Sequence, residues 1–180
     1  MLNPITQETF YSANIDENIC KKASSFITTH QEKFTEQSWK CKIRTSLNIT
    51  NNFINMPDLH ELKMHALSHI NNYMYLKKSF TDGYIRESWV NIYEKDFYQE
   101  FHTHVAAINK YLSGVIYLTE DNSKIEFNVE KRFSFEPKFS QIIIFPEYMQ
   151  HRVVENKNDK LRISLAFNFV CSEIWDIVTL

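Results

Sequence analysis

The chain has 180 residues, 43% of them hydrophobic and 23% charged, with a formal net charge of −2. That length supports one domain, 1–180, with a core of its own. The balanced charge gives no electrostatic reason to expect nucleic acid or anionic lipid as a partner.

No apolar run reaches the roughly 18–20 residues of a membrane span. The segment Met1 to Thr6 lacks the basic-then-apolar order of a signal peptide. Cys20, Cys41 and Cys171 are scattered and form no C-x-x-C pair, which fits a reduced compartment. The expectation is a cytoplasmic protein, in the host cytoplasm if viral. Gly83 and Gly114 are the only glycines, which leaves no phosphate-cradling loop. There is no repeat, low-complexity run or proline-rich linker.

In chain order, residues 1–14 read as a short leading strand. Ile15, Ile19, Ala23, Phe26, Ile27, His30 and Phe34 then recur at helical spacing, with Asp16 and Glu17 where a helix N-terminus favours negative charge. The prediction is an amphipathic helix over about 16–35. Residues 41–50 alternate apolar and polar, a half-buried strand ended by Asn51-Asn52. Pro57 opens a second helix at a position where its missing N–H costs little. Leu59, Leu62, Ala66, Leu67, Ile70 and Met74 form its apolar stripe, and Thr81-Asp82-Gly83 closes it. From Tyr84 the pattern changes to short strands near 84–93, 99–105, 113–119, 124–129, 132–136, 141–145, 150–154 and 161–170. Helices followed by a run of short strands predict an α+β fold, a double-sheet barrel packed against the helices.

Candidate chemistry gathers on the strands. His102 and His104 stand two apart, so in an extended strand they share a face with Glu100 while Phe101, Thr103 and Val105 point away. A solvated strand face would carry such a pair without consequence. A third histidine alters the weighing. Gln141 to Phe145 reads as an apolar strand stopped by Pro146, and the turn Glu147-Tyr148-Met149-Gln150 delivers His151. Three neutral imidazoles suit ferrous iron and leave open positions for oxygen and a chelating ligand. On the last strand Leu161, Ile163, Leu165, Phe167 and Phe169 take one face, and Arg162, Ser164, Ala166 and Asn168 the other. Either that second face is wet, as antiparallel sheets allow, or it lines the barrel mouth. There Arg162 can grip a carboxylate by two hydrogen bonds and Ser164 can add a third. His65 and His69 lie four apart on the second helix. With no carboxylate or third ligand in register they read as a solvated helix face; His30 and His60 carry less still.

Taken in order, Trp89-Val90-Asn91-Ile92-Tyr93, His102-x-His104, Leu112-Ser113-Gly114-Val115-Ile116-Tyr117-Leu118, Phe145-Pro146 to His151, and Arg162-x-Ser164-x-x-x-Asn168 form a set. The set resembles a family of 2-oxoglutarate- and iron(II)-dependent oxygenases of bacteria and bacteriophages, distantly similar to prolyl hydroxylases. It spans about residues 84–170. The resemblance implies a double-stranded β-helix (jelly-roll, cupin-like) core at 84–170, with 1–83 as helical support and 171–180 as a C-terminal tail. It implies that His102, His104 and His151 ligate Fe(II) and that Arg162 binds the distal carboxylate of 2-oxoglutarate. Ser164 and the Tyr93 hydroxyl would assist there, and Asn91, Tyr117 and Asn168 would line the pocket. With O2 as the other co-substrate, an unidentified substrate would be hydroxylated and succinate and CO2 released.

Three positions depart from the family pattern. The second ligand is Asp or Glu in most of the wider superfamily, whereas His104 stands there, with Glu100 as the reserve carboxylate. Asp96 takes a turn position usually held by glycine, and Asp tolerates left-handed backbone. Ser140 replaces another expected glycine. A three-histidine cupin-type dioxygenase that needs no 2-oxoglutarate is the second reading, although Ala107 and Ile108 stand where its glutamate belongs and Arg162 and Ser164 would be idle. A non-catalytic jelly-roll binding or structural module is the third.

Overall fold

The structure is a computed structural model that describes residues 2–5, 8–37, 41–77, 79–80, 82–104, 111–120, 124–129, 132–171 and 175–176. In chain order its elements are β1 (Leu2–Ile5), β2 (Glu8–Asn14), α1 (Glu17–His30), β3 (Thr35–Gln37), β4 (Cys41–Thr45), α2 (His60–Leu76), β5 (Ser79–Phe80) and β6 (Gly83–Tyr93). There follow β7 (Tyr98–His102), β8 (Tyr111–Tyr117), β9 (Ile125–Phe127), β10 (Phe133–Phe135), β11 (Gln141–Pro146), β12 (His151–Val153), β13 (Arg162–Cys171) and β14 (Trp175–Asp176).

Local chemistry accounts for the helices. The Asp16 carboxylate caps α1 by accepting from the Asn18 and Ile19 amides at 2.8 and 3.4 Å. Cys20, Ala23 and Ile27 form its buried stripe. Pro57 opens a single 3-10 turn, Pro57–Leu59, which leads into α2 with Leu62, Ala66, Ile70, Tyr73 and Met74 buried. Among the described residues no helix is long and apolar enough to cross a membrane.

The strands form two facing antiparallel layers, a jelly roll. One layer runs β11-β8-β13-β6 and is extended at the β11 edge by β2 and β1; the other runs β7-β12-β9-β10. Strand β4 joins the layers by pairing with β6 through Arg44 and Thr45 and with β7 through Cys41 and Lys42. The two helices cover the outer face of the first layer. Cys20, Ile27, Leu62, Ala66 and Ile70 meet Val90, Ile92, Ile116, Ile144, Ile163 and Leu165 in one core. A smaller core of Phe10, Tyr117, Ile125, Phe127, Ile143, Phe145 and Met149 fills one end between the layers.

Register decides what faces inward. On β13, Arg162 pairs with Tyr93, Ser164 with Asn91, Ala166 with Trp89 and Asn168 with Glu87 on β6. On its other side Ser164 pairs with Tyr117, Ala166 with Val115 and Asn168 with Ser113 on β8. These four rungs share one face because the side-chain period is two. Gly114 sits opposite Phe167, and a Cβ there would meet the Phe167 ring at 2.1 Å, so only glycine lets the ring lie across the strand.

Several boundaries differ from the sequence-based expectations. In place of one leading strand, Leu2–Ile5 and Glu8–Asn14 make two paired strands, β1 and β2. Helix α1 stops at His30; Gln31–Lys33 tighten into a 3-10 turn and β3 follows, an exposed Thr-Glu-Gln strand with no alternation to reveal it. Strand β4 ends at Thr45, where Ser46 turns the chain by accepting from the Ile49 amide at 2.9 Å. Leu47 and Ile49, which continued the apparent alternation, are exposed. Strand β7 ends at His102, so His104 lies beyond it, and Val105, Ala107, Ile108 and most of the expected tail fall outside the described residues. Cys20 and Cys171 are buried, Cys41 is half-buried, and none is in a disulfide.

Both unusual turn residues take left-handed backbone, Asp96 at φ 65° and Ser140 at φ 65°. Ser140 is buried, donates its amide to the Tyr117 carbonyl at 2.9 Å and accepts from the Ile15 amide at 2.8 Å. Left-handed geometry costs an L-residue about 1–2 kcal/mol, and glycine's extra unfolded freedom offsets about 0.5–1 of that. Ser140→Gly should therefore stabilise the protein by roughly 0.5–1 kcal/mol in a urea titration; an unchanged or lower midpoint would show that the turn is not strained.

Candidate metal centre

Three strand ends bring the histidines together. His102 is the last residue of β7 and pairs directly with His151, the first residue of β12. His104 follows two residues later, its amide donating to the Glu147 carbonyl at 3.2 Å. The ring centroids stand 4.3 Å apart for His102 and His151, 5.1 Å for His102 and His104, and 5.2 Å for His104 and His151. One ring nitrogen from each lies within 4.8 Å of those of the other two. Bonds of about 2.0–2.2 Å to one ion allow two ligand nitrogens up to about 4.4 Å apart, so a shift of at most about 0.4 Å at the widest pair would bring all three to a single ion.

The donor chemistry fits as well. His102 and His151 donate Nδ1–H to main-chain carbonyls two residues back, Glu100 at 2.8 Å and Met149 at 2.9 Å. That leaves Nε2 bare on both rings, the usual arrangement for ligating imidazoles. Burial pushes the pKa of His102 down. Burial, with help from His102, brings His104 to about 3. Burial, then the two neighbouring rings, holds His151 well below the ordinary range. All three are neutral at pH 7, the form that binds a metal. Phe127 and Phe145 pack on His151 at 5.8 and 4.8 Å and keep water from that side.

Glu100 does not belong to the cluster. It is exposed, and the reason is a shift of register. His151 pairs with His102 but Val153 pairs with Gln99, so one residue of β7 is left over in a bulge. The bulge breaks the period of two, turning Glu100 out and leaving Gln99 on the inner wall with His102. His65 and His69 form no metal cluster either; His69 Nδ1 shares a 2.8 Å hydrogen bond with the Tyr11 hydroxyl.

The histidines line a narrow cavity of about 30 Å³, room for about two water molecules. Asn91, Tyr93, Tyr117, Arg162 and Ser164 line the same cavity. Arg162 is 2% exposed, its guanidinium carbon 5.4 Å from the Tyr93 ring centre and 5.5 Å from that of Tyr117. Burial raises the Tyr93 pKa, against the opposing pull of Arg162, so the hydroxyl stays protonated and donates to Gln99 Oε1 at 3.1 Å. Among the described residues that line the cavity none is an Asp or Glu, so its fixed charge is positive. The inner face of β13 is therefore buried, which decides between the two readings of that strand.

Asn168 stands one step back. It does not line the cavity but places Nδ2 3.3 Å from His104 Nδ1. Sequence reasoning gave no role to Gln99, Ser113, Glu87 or Trp89. Gln99 was hidden by the bulge. Trp89 and Glu87 follow from continuing the Tyr93–Asn91 alternation down β6. Trp89 stacks on His104 with ring centres 5.6 Å apart, and its Nε1 donates to the Asn91 amide oxygen at 3.2 Å when that amide's nitrogen faces the Val90 carbonyl.

A family model described as "Putative 2OG-Fe(II) oxygenase" matches residues 121–168, which include His151, Arg162, Ser164 and Asn168. No curated protein matches the chain. Solved structures share its fold. A Pseudomonas putida prolyl-4-hydroxylase aligns with a TM-score of 0.68 at 12% identity, covering 89% of this chain and 91% of its own. A viral collagen prolyl hydroxylase from Paramecium bursaria Chlorella virus-1, solved with 2OG, gives 0.66 at 11% identity and coverage of 89% and 96%. HygX from Streptomyces hygroscopicus, solved with nickel, 2-oxoglutarate and hygromycin B bound, gives 0.63 at 8% identity and coverage of 91% and 83%.

Three neutral imidazoles, His151 buried and His102 and His104 half-buried, set an acid limit on the metal-free fold. An unfolded histidine titrates near 6.5, whereas His104 stays neutral down to about 3. Between those values the unfolded state binds more protons, so stability falls as pH falls, by up to about 1.4 kcal/mol per pH unit for each such ring. Urea titrations in EDTA from pH 7 to pH 4 should show this slope. The double variant His104→Gln/His151→Gln should flatten it, and a wild-type slope no steeper than the variant's would contradict the burial argument.

Proposed function

We propose, from the premise that this chain carries the fold and a sequence segment of the 2OG-Fe(II) oxygenases, that it is a 2-oxoglutarate-dependent non-haem iron(II) dioxygenase that hydroxylates an organic substrate. The observation that carries the reading is one cavity lined both by three neutral imidazoles and by a buried guanidinium. His102, His104 and His151 would hold Fe(II). Arg162, with Ser164 and the Tyr93 hydroxyl, would hold the distal carboxylate of 2-oxoglutarate, and Asn91 and Tyr117 would wall its path. When bound, ferrous iron supplies activation of O2 coupled to oxidative decarboxylation of 2-oxoglutarate, so that substrate C–H, O2 and 2-oxoglutarate become C–OH, succinate and CO2.

The chain's own residues do the rest. The guanidinium offers two parallel N–H donors to one carboxylate, fixing the co-substrate in direction as well as place. Neutral imidazoles add no negative charge of their own, so a bound divalent ion would keep its full charge toward the anionic co-substrate, an attraction stronger than a carboxylate ligand would leave. Trp89, Phe127 and Phe145 close the walls around the histidines against bulk water. A three-histidine dioxygenase without 2-oxoglutarate would give Arg162 and Ser164 no task.

Purified protein supplied with Fe(II), 2-oxoglutarate and O2 should form succinate slowly even without its substrate. His151→Ala should abolish this. Arg162→Gln should raise the KM for 2-oxoglutarate by about 30-fold or more, the loss of about 2 kcal/mol or more expected when a charged hydrogen-bonded pair is broken. Under nitrogen, 2-oxoglutarate added to the iron-loaded protein should produce a visible charge-transfer band. Iron binding with neither band nor succinate would transfer the assignment to the reading without 2-oxoglutarate; no iron binding would end both.

A further inference from the structure

The three imidazoles are not held alike. His102 and His151 are fixed by main-chain carbonyls that leave Nε2 bare. Among the described residues the ring nitrogens of His104 meet a side chain instead, the Asn168 amide Nδ2, 3.3 Å from Nδ1. That amide has its orientation imposed on it. Glu87 Oε1 accepts from the same Nδ2 at 2.7 Å, and the Ser113 hydroxyl donates to Oδ1 at 3.0 Å. Turned over, the amide would set its oxygen against the Glu87 carboxylate, acceptor against acceptor. An N–H therefore points at His104 Nδ1, so the neutral ring accepts there and carries its own proton on Nε2. This is the opposite tautomer to its two neighbours.

The consequence is the same whichever nitrogen faces the ion. If it is Nε2, a proton caps it; if it is Nδ1, its lone pair is engaged by the amide. We propose that Glu87, acting through Asn168, makes His104 a conditional ligand. His102 and His151 receive the ion first, and His104 joins only when the Asn168 amide turns over or withdraws. Glu87 and Asn168 are thus positioning residues, and the inference rests on the reading that the three histidines share a metal.

The device is specific to side-chain chemistry at position 87. A carboxylate can only accept, whereas glutamine in the same place can donate to Asn168 Oδ1. The turned-over amide is then satisfied on both sides: Oδ1 accepts from residue 87 and from His104 Nδ1–H, and Nδ2 donates to the Ser113 hydroxyl. Nε2 of His104 becomes bare like the others.

Two measurements test this. In metal-free protein, long-range 15N–1H NMR of the imidazoles, assigned by single His→Gln variants, should show His104 protonated at Nε2 and His102 and His151 at Nδ1. Three rings of the same tautomer would overturn the proposal. Ni(II) titration calorimetry should show Glu87→Gln binding about 3- to 10-fold tighter than wild type, the worth of about one hydrogen bond. His104→Ala should cost the wild type less than about 10-fold, but cost the Glu87→Gln protein more, and His151→Ala should cost roughly 100-fold or more. Ni(II) binding no tighter in Glu87→Gln, with its urea midpoint unchanged, would overturn the conditional ligand while leaving the metal site intact. Wild type that binds no Ni(II) would overturn the metal reading and this inference together.

Discussion

The polar groups on the first layer's side of the cavity wall depend on the pairing of β13 between β6 and β8. Arg162, Ser164, Ala166 and Asn168 reach the inner face only because Ile163, Leu165 and Phe167 reach the outer one. The outer set is what fixes the register. Leu165, Val90, Ile92 and Ile116 are 0% exposed, and burying each such side chain contributes about 1.5–3 kcal/mol. A slip of one residue would drive Arg162 into that apolar layer and turn the leucine and isoleucine inward. Apolar packing against α1 and α2 therefore aims a guanidinium that touches neither helix.

The second layer supplies its histidines by a different device. Its strands are short, β12 and β9 having three residues each, and the histidines sit where strands begin or end. Pro146 stops β11, and the turn after it both starts β12 at His151 and offers the Glu147 carbonyl to the His104 amide. The bulge in β7 compensates for the shortness by turning His102 inward at the strand's last position. Long register-locked strands carry the charge, and strand ends carry the imidazoles. The two meet because β4 ties β6 to β7 on either side of the β6–β7 turn, where Asp96 takes left-handed backbone.

Those two devices differ in how far a sequence reveals them. Alternation along 161–170 is visible in the residues themselves, so the split between Leu165 and Ser164 could be read directly, and so could the strand stopped by Pro146. Whether the Ser164 face was wet depended on a second layer lying over it, which no local pattern encodes. The grouping of Glu100 with the histidines failed because a bulge is one extra residue, and nothing in Gln99-Glu100-Phe101 marks which of them is extra. Leu47 and Ile49 misled in the reverse sense, alternating as a strand would while the Ser46 turn exposes both. Strand β3 was invisible because an exposed edge of Thr-Glu-Gln needs no apolar face. The resemblance to known oxygenases named the histidines and Arg162, which the structure brings to one cavity, but it carried no information on Glu87, whose contact with Asn168 is made only across the sheet.

The rungs along β13 set a positive group in the cavity and a carboxylate beyond its wall, with physical consequences. Arg162 and Asn168 are six residues apart, about 20 Å at the rise of an antiparallel strand, with Glu87 beside the latter. In open solvent two charges at that separation would be screened from each other. Between packed layers screening is weaker, and a ligand with one charged end experiences the whole gradient. An anionic group is drawn toward the Tyr93–Arg162 rung and repelled from the Glu87–Asn168 rung. The histidines, neutral and adjacent to the Trp89 rung, interrupt the gradient without adding to it. Exchanging any one histidine for a carboxylate would place a negative charge in the cavity, weakening the pull of Arg162 on an anion there. The all-nitrogen cluster and the buried arginine are in this sense one arrangement: the first keeps the field of the second unopposed along the length of the cavity.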